Sequence, residues 1–110
     1  MVEISKETEE KIAQLQLMEQ NLQNFLIQKQ TFQAQLMEIE SALKEIENTD
    51  TTYKIVGNVM VKVRKDDLKK DLKHRKEVLE LRIKNIEKQE EKVKEKAKKT
   101  RESVLEDIKK

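Results

Sequence analysis

Tyr53-Lys54-Ile55-Val56-Gly57-Asn58-Val59-Met60-Val61-Lys62-Val63 is the stretch of this 110-residue chain that breaks a helical pattern on both sides of it. It is dense in β-branched residues, and the only Gly of the chain sits beside Asn at its centre. Two short apolar runs around Gly-Asn spell a two-residue β-hairpin. In that register Val56 opposes Val59 and Ile55 opposes Met60. One face then carries Val56, Val59, Val61 and Val63, the other Tyr53, Ile55 and Met60. Both faces are partly apolar. A lone hairpin is marginal in water and leaves two unpaired edges. This one is expected to join a larger sheet supplied by other chains.

Before the hairpin, counting in sevens from Met1 places Met1, Thr8, Leu15, Leu22, Lys29, Leu36 and Leu43 on one seam. Ile4, Lys11, Met18, Phe25, Phe32, Ile39 and Ile46 fall three residues later in each heptad, and eleven of these fourteen positions are apolar. Spacings that alternate three and four keep both sets on one helix face, the pattern of a coiled coil. Ser5 is a fitting N-cap, and Glu7, Glu9 and Glu10 suit the positive end of the helix dipole. Ile12, Leu26, Ile27 and Met37 lie off the strict seam and widen the apolar stripe, as a helix touching more than one neighbour needs. Phe25, Phe32, Met18 and Met60 are read as core filling, with Met37 and the other methionines also suited to adaptable contacts. Asn48-Thr49-Asp50-Thr51-Thr52 then ends the helix with residues that bond their own backbone.

After the hairpin, Asp66 or Asp67 is placed to cap a second helix. Its seam is Leu72, Lys76, Leu79, Ile83, Ile86, Glu90, Val93, Ala97, Thr100 and Val104, interrupted by Lys76, Glu90 and Thr100. The two helices match in length, roughly 63–66 Å each at ~1.5 Å per residue. The hairpin reverses the chain, so they are expected to run antiparallel with both termini meeting, residue i facing about residue 114 minus i. Charge agrees: residues 1–50 carry 4 basic and 10 acidic side chains, residues 51–110 carry 20 and 12. An acidic helix beside a basic one favours the intramolecular pair over pairing of identical helices. The expected fold is mainly α: a long antiparallel two-helix coiled coil joined by a single β-hairpin that pairs with strands of other chains. The parts of this single domain are helix 1–47, hairpin linker 48–66 and helix 67–110.

Composition excludes several function classes. There is no Cys, Pro or Trp, and charged residues make up 42% of the chain. Without Cys there is no disulfide framework, thiol nucleophile or thiolate metal site. No apolar run approaches the ~18 residues of a membrane span, and the opening Met1-Val2-Glu3-Ile4-Ser5 lacks the pattern of a signal peptide. His74 is the only His, so no catalytic acid–base pair, cofactor site or metal site is expected. One Gly makes no phosphate-cradling loop. The run Lys92-Val93-Lys94-Glu95-Lys96-Ala97-Lys98-Lys99 admits a nucleic-acid reading, but it is interleaved with Glu95 and sits on a helix beside an acidic partner. It is read as a solvated face, with docking to an acidic partner surface as the other use, and no nucleic acid or membrane partner is expected.

A helix, the hairpin Tyr53-Lys54-Ile55-Val56-Gly57-Asn58-Val59-Met60-Val61 with Lys62 after it, and a matched helix closely resemble the beta class of the prefoldin family over essentially the whole chain. The alpha class has two hairpins between its helices, whereas about 19 residues, Asn48 to Asp66, separate them here. Family members often carry Pro after the hairpin Gly; Asn58 stands there instead and leaves the turn intact. The resemblance implies an ATP-independent, cytoplasmic holdase in a hexamer of two alpha-type and four beta-type subunits. Its hairpins build a double β-barrel platform, and its arm tips hold unfolded clients and pass them to a group II chaperonin. On this chain the oligomerisation residues are then Tyr53, Ile55, Val56, Gly57, Val59, Met60, Val61 and Val63. The client-binding tip combines Val2, Ile4 and Ile12 with Val104, Leu105 and Ile108. The alternative is a structural coiled coil, a scaffold or spacer that binds no client.

Overall fold

The computed structural model describes residues Ile4 to Lys109. In chain order it holds α1 (Lys6–Glu47), β1 (Thr52–Val56), β2 (Val59–Val63) and α2 (Lys65–Lys109). The described residues form two compact units. One, Gln30–Lys84, contains the hairpin and the helix segments flanking it; the other is made from the first part of α1 and the last part of α2.

In the hairpin unit, β1 and β2 pair antiparallel in the expected register, Ile55 opposite Met60 and Val56 opposite Val59. Gly57 has φ +61°, and among the described residues no other has positive φ. A left-handed first turn residue followed by an ordinary second one is the pattern of a type II′ turn, whose twist matches that of paired strands. A Cβ built on Gly57 meets nothing within 4 Å, so the dihedral alone demands glycine here. Gly57→Ala is therefore expected to cost about 1–2 kcal/mol, and Asn58→Ala much less, because only the first turn position needs a positive φ. Equilibrium denaturation of the two variants checks the order.

The base of the hairpin is tied to the helices. Thr52 is buried, and its hydroxyl donates to the Val63 carbonyl oxygen at 2.8 Å. Lys54 and Arg75 both approach the Asp71 carboxylate, at 3.6 and 3.2 Å. The end of α1 is closed by Thr49, whose hydroxyl donates to the Glu45 carbonyl, and by Lys65, which reaches the Glu47 carbonyl at 3.2 Å. Helix α2 starts at Lys65, two residues before the expected boundary. Asp66 and Asp67 thus lie in its first turn and complement the dipole from inside the helix instead of capping it. Ile46, Leu79 and Ile83 are buried between the helices, with Phe32, Leu36, Ile39, Leu43 and Leu72 partly covered. The Arg82 guanidinium lies 5.7 Å from the centre of the Phe32 ring, a cation–π contact that shields the ring's open side.

In the other unit, Ser5 caps α1: the Thr8 backbone N–H donates to its Oγ at 3.2 Å. Met18, Ile86, Ala97 and Val104 are buried there, and Leu15, Leu22, Phe25 and Val93 are partly covered. Both seams thus run where the heptads place them. The off-seam set behaves differently: Ile12 is partly covered, whereas Leu26, Ile27 and Met37 stay exposed. Met60 also corrects the reading of it as core filling, since it stands out on the hairpin surface while Met18 fills the seam.

Candidate functional site

Two surfaces and one polar device stand out. The first surface is the hairpin. Strand alternation puts Thr52, Lys54, Val56, Val59, Val61 and Val63 on one face, and Tyr53, Ile55, Met60 and Lys62 on the other. Tyr53, Ile55, Val56, Val59, Met60 and Val61 are 44 to 70% exposed, and Val63, at the base, is partly covered. The sheet has two strands, so the outer edge of each carries unpaired backbone groups. Apolar side chains on both faces between two open edges leave an uncovered apolar surface on this chain.

The second surface lies where the start of α1 meets the last turns of α2. Ile4, Leu105 and Ile108 are 45, 51 and 43% exposed. Val104, read from sequence as part of the same tip, is 7% exposed because it occupies a seam position, and Ile12 is partly covered. Val2 lies outside the described residues.

Between the helices, the polar residues that interrupt the seams meet partners. Lys29 of α1 donates to the Glu90 carboxylate of α2 at 2.8 Å, with Glu90 buried. Lys11 Nζ donates to Ser103 Oγ at 2.7 Å and to Asp107 Oδ2 at 2.9 Å. Thr8, only 3% exposed, donates its hydroxyl to the same Asp107 oxygen at 3.1 Å. Lys76 escapes its seam position by reaching outward to Glu40 at 3.7 Å. Thr100 satisfies itself by donating to the carbonyl of Lys96, one turn back. Reading each seam alone shows these residues only as interruptions. Their polar character was visible, but their pairing depends on the register between the helices.

Two ion pairs shift titrations, Lys29 with Glu90 and Glu47 with Lys69. Lys29 is raised above its ordinary 10.5, chiefly by the hydrogen bond to Glu90 and against partial desolvation, with the charges of Glu90 and Glu87 assisting. Glu47 is held below its ordinary 4.5, first by the hydrogen bond from Lys69 and then by that ammonium's charge, with Lys65 and Lys73 adding to it against partial desolvation. A raised lysine stabilises the fold fully below its unfolded value and loses that contribution as pH climbs through the folded one. A lowered carboxylate stabilises fully above its unfolded value and loses that contribution as pH falls through the folded one. The thermal midpoint is expected to hold through the neutral range, fall below about pH 4.5 and fall again above about pH 10.5. Glu47→Gln should remove part of the acid limb and leave the alkaline limb unchanged, as followed by circular dichroism.

The lysine run of α2 divides by helix face. Ala97 is buried and Val93 partly covered, whereas Lys92, Lys94, Lys96, Lys98 and Lys99 are exposed, with Lys99 3.9 Å from Glu95 one turn away. His74 lies on an exposed helix face. Among the described residues no group of three or more His, Cys, Asp or Glu is gathered as a metal site, and no helix is long and apolar enough to cross a membrane.

The comparisons with known proteins agree with this arrangement. A family model described as Prefoldin subunit matches residues 9–110. The Prefoldin subunit beta of Archaeoglobus fulgidus is 40% identical over 98 residues, covering 86% of this chain and 84% of that one. The Prefoldin subunit beta of Pyrobaculum islandicum is 34% identical over 111 residues, covering 98% and 89%. The crystal structure of the prefoldin beta subunit from Thermococcus strain KS-1 superimposes with a TM-score of 0.91 at 35% identity, over 100% of this chain and 99% of that one.

Proposed function

The chain belongs to the prefoldin family as a beta-type subunit, and from that premise we propose that it is a subunit of an ATP-independent, cytoplasmic holdase. Its hairpin joins those of other prefoldin subunits, two alpha-type and four beta-type in the full hexamer, to complete the β-barrel platform. Its helix pair hangs from that platform as an arm. The terminal end of the arm holds unfolded chains and hands them to a group II chaperonin.

The observation that carries this reading is the exposed apolar set Ile4, Leu105 and Ile108 beside the contact between the start of α1 and the last turns of α2. Fully burying one aliphatic side chain yields about 1.5–3 kcal/mol. Association costs on the order of 4–15 kcal/mol in lost freedom and ordering. A single arm with three half-exposed residues therefore binds too weakly to hold a client. Several arms on one platform overcome the cost through effective concentration. A soft apolar grip also fits a client that has no fixed structure to recognise.

The test is light scattering of a chemically denatured protein diluted into buffer without nucleotide. The chain assembled with an alpha-type subunit is expected to delay aggregation at stoichiometric amounts. An assembled complex that leaves the aggregation rate unchanged rules the holdase out.

A further inference from the structure

We propose that Thr8, Lys11, Ser103 and Asp107 form a polar latch that holds the terminal end of the helix pair closed weakly enough to open, and so meters how much apolar surface the grip presents. The part concerning the grip rests on the holdase reading; the latch itself does not. Thr8 and Lys11 lie three residues apart on one face of α1, and Ser103 and Asp107 four apart on one face of α2. Each of the two Lys11 contacts bridges the helices, at 2.7 and 2.9 Å, and Thr8 adds a third bridge to Asp107.

The network also reaches the helix cap. The Thr8 hydroxyl spends its proton on Asp107, so the 2.9 Å contact between Ser5 Oγ and Thr8 Oγ1 has Ser5 as donor. Ser5 in turn accepts the Thr8 backbone N–H as N-cap. The start of α1 and the last turns of α2 are therefore one hydrogen-bonded unit: breaking the Asp107 contacts loosens the cap as well as the interhelical bridge.

Apolar seam layers hold helices together through burial, which salt does not weaken. A half-exposed ionic layer is held by charge and is screened. Lys11 and Asp107 keep 32 and 29% of their side-chain surface. Beside the latch, Val104 is buried and Ile12 partly covered, whereas Leu105 and Ile108 are already outside it. Opening adds the first two to the second two. The latch thus separates a standing grip from a reserve that a larger client draws out.

Hydrogen–deuterium exchange of the full chain without client tests the latch, at 0.05 M and 1 M NaCl. Amides of residues 8–15 and 100–107 are expected to exchange several-fold faster at high salt, with residues 79–90 as the internal control. In Lys11→Leu/Asp107→Leu the same amides should exchange about tenfold more slowly and lose the salt response. The charge swap Lys11→Asp/Asp107→Lys should recover it. Equal exchange in wild type and the leucine variant, or an unchanged salt response, overturns the latch. Client capture is measured separately: the leucine variant should suppress aggregation several-fold less than wild type. Slowed exchange with undiminished capture overturns the metering role, and failure of the wild type itself to capture refutes the holdase and the metering role together while exchange still judges the latch.

Discussion

Ile55→Asp combined with Val59→Asp is expected to reduce the chain from a subunit of a hexamer to a species that no longer assembles with an alpha-type partner, as read by native mass determination. The two side chains stand on opposite faces of the hairpin, 70 and 60% exposed, so neither supports the fold of the single chain. The helix pair should keep its circular dichroism and its melting behaviour. Assembly is where the loss falls. Each position forfeits about 1.5–3 kcal/mol of burial, and each new carboxylate adds a desolvation cost of several kcal/mol wherever a neighbouring strand covers it. At ~1.4 kcal/mol per factor of ten, one interface weakens by roughly two to four orders of magnitude from lost burial alone. Repetition around the platform multiplies the effect. Assembly that survives both substitutions would mean that the exposed hairpin is not the oligomerisation surface.

How much of this was legible beforehand divides along a physical line. Features set by local sequence could be read. Gly57 beside Asn58 dictated the turn, and alternation then dictated the pairing of Ile55 with Met60 and the division of faces. Heptad spacing alone placed Met18, Ile46, Leu79, Ile83 and Ala97 inside. Features set by what one helix meets on the other could be read only roughly. Lys29 and Glu90 looked like two separate faults in two seams; together they are one ion pair at 2.8 Å. Such a pair stabilises little over an apolar layer but fixes register, because either charge buried alone costs heavily. The expectation that residue i faces about residue 114 minus i came closer for Lys11, which meets Ser103, and for Thr8, which meets Asp107.

The terminal surface shows the same limit. Val104 and Leu105 are adjacent and similarly apolar, yet one is buried and the other half exposed. A step of one residue turns a helix by about 100°, so the two neighbours cannot both face the partner helix. Grouping them as one tip follows composition, whereas the seam separates them. At the start of α2, both Asp66 and Asp67 suit a cap by residue type. The structure begins the helix at Lys65, whose ammonium bonds the end of α1, a contact invisible to local propensity.

Leu105→Gln with Ile108→Gln is expected to abolish client capture while leaving assembly intact. Both residues are about half exposed and off the buried seam, and Gln is nearly as good a helix former as Leu, so helicity should be preserved. Neutral Gln also avoids placing a negative charge at the negative end of the α2 dipole. If each arm loses about 1.4 kcal/mol of apolar contact, its affinity falls about tenfold, and three engaged arms lose roughly a thousandfold together. Aggregation of a denatured protein should then proceed at nearly the rate seen without the complex, although mass determination still reports the hexamer. This pairing of readouts separates the holdase from a spacer. A spacer has no use for apolar ends, so its behaviour would not change with these two residues, and an undiminished delay of aggregation would place the grip elsewhere on the chain. Restoring Leu105 alone should recover part of the delay, because avidity compounds even a small gain at each arm.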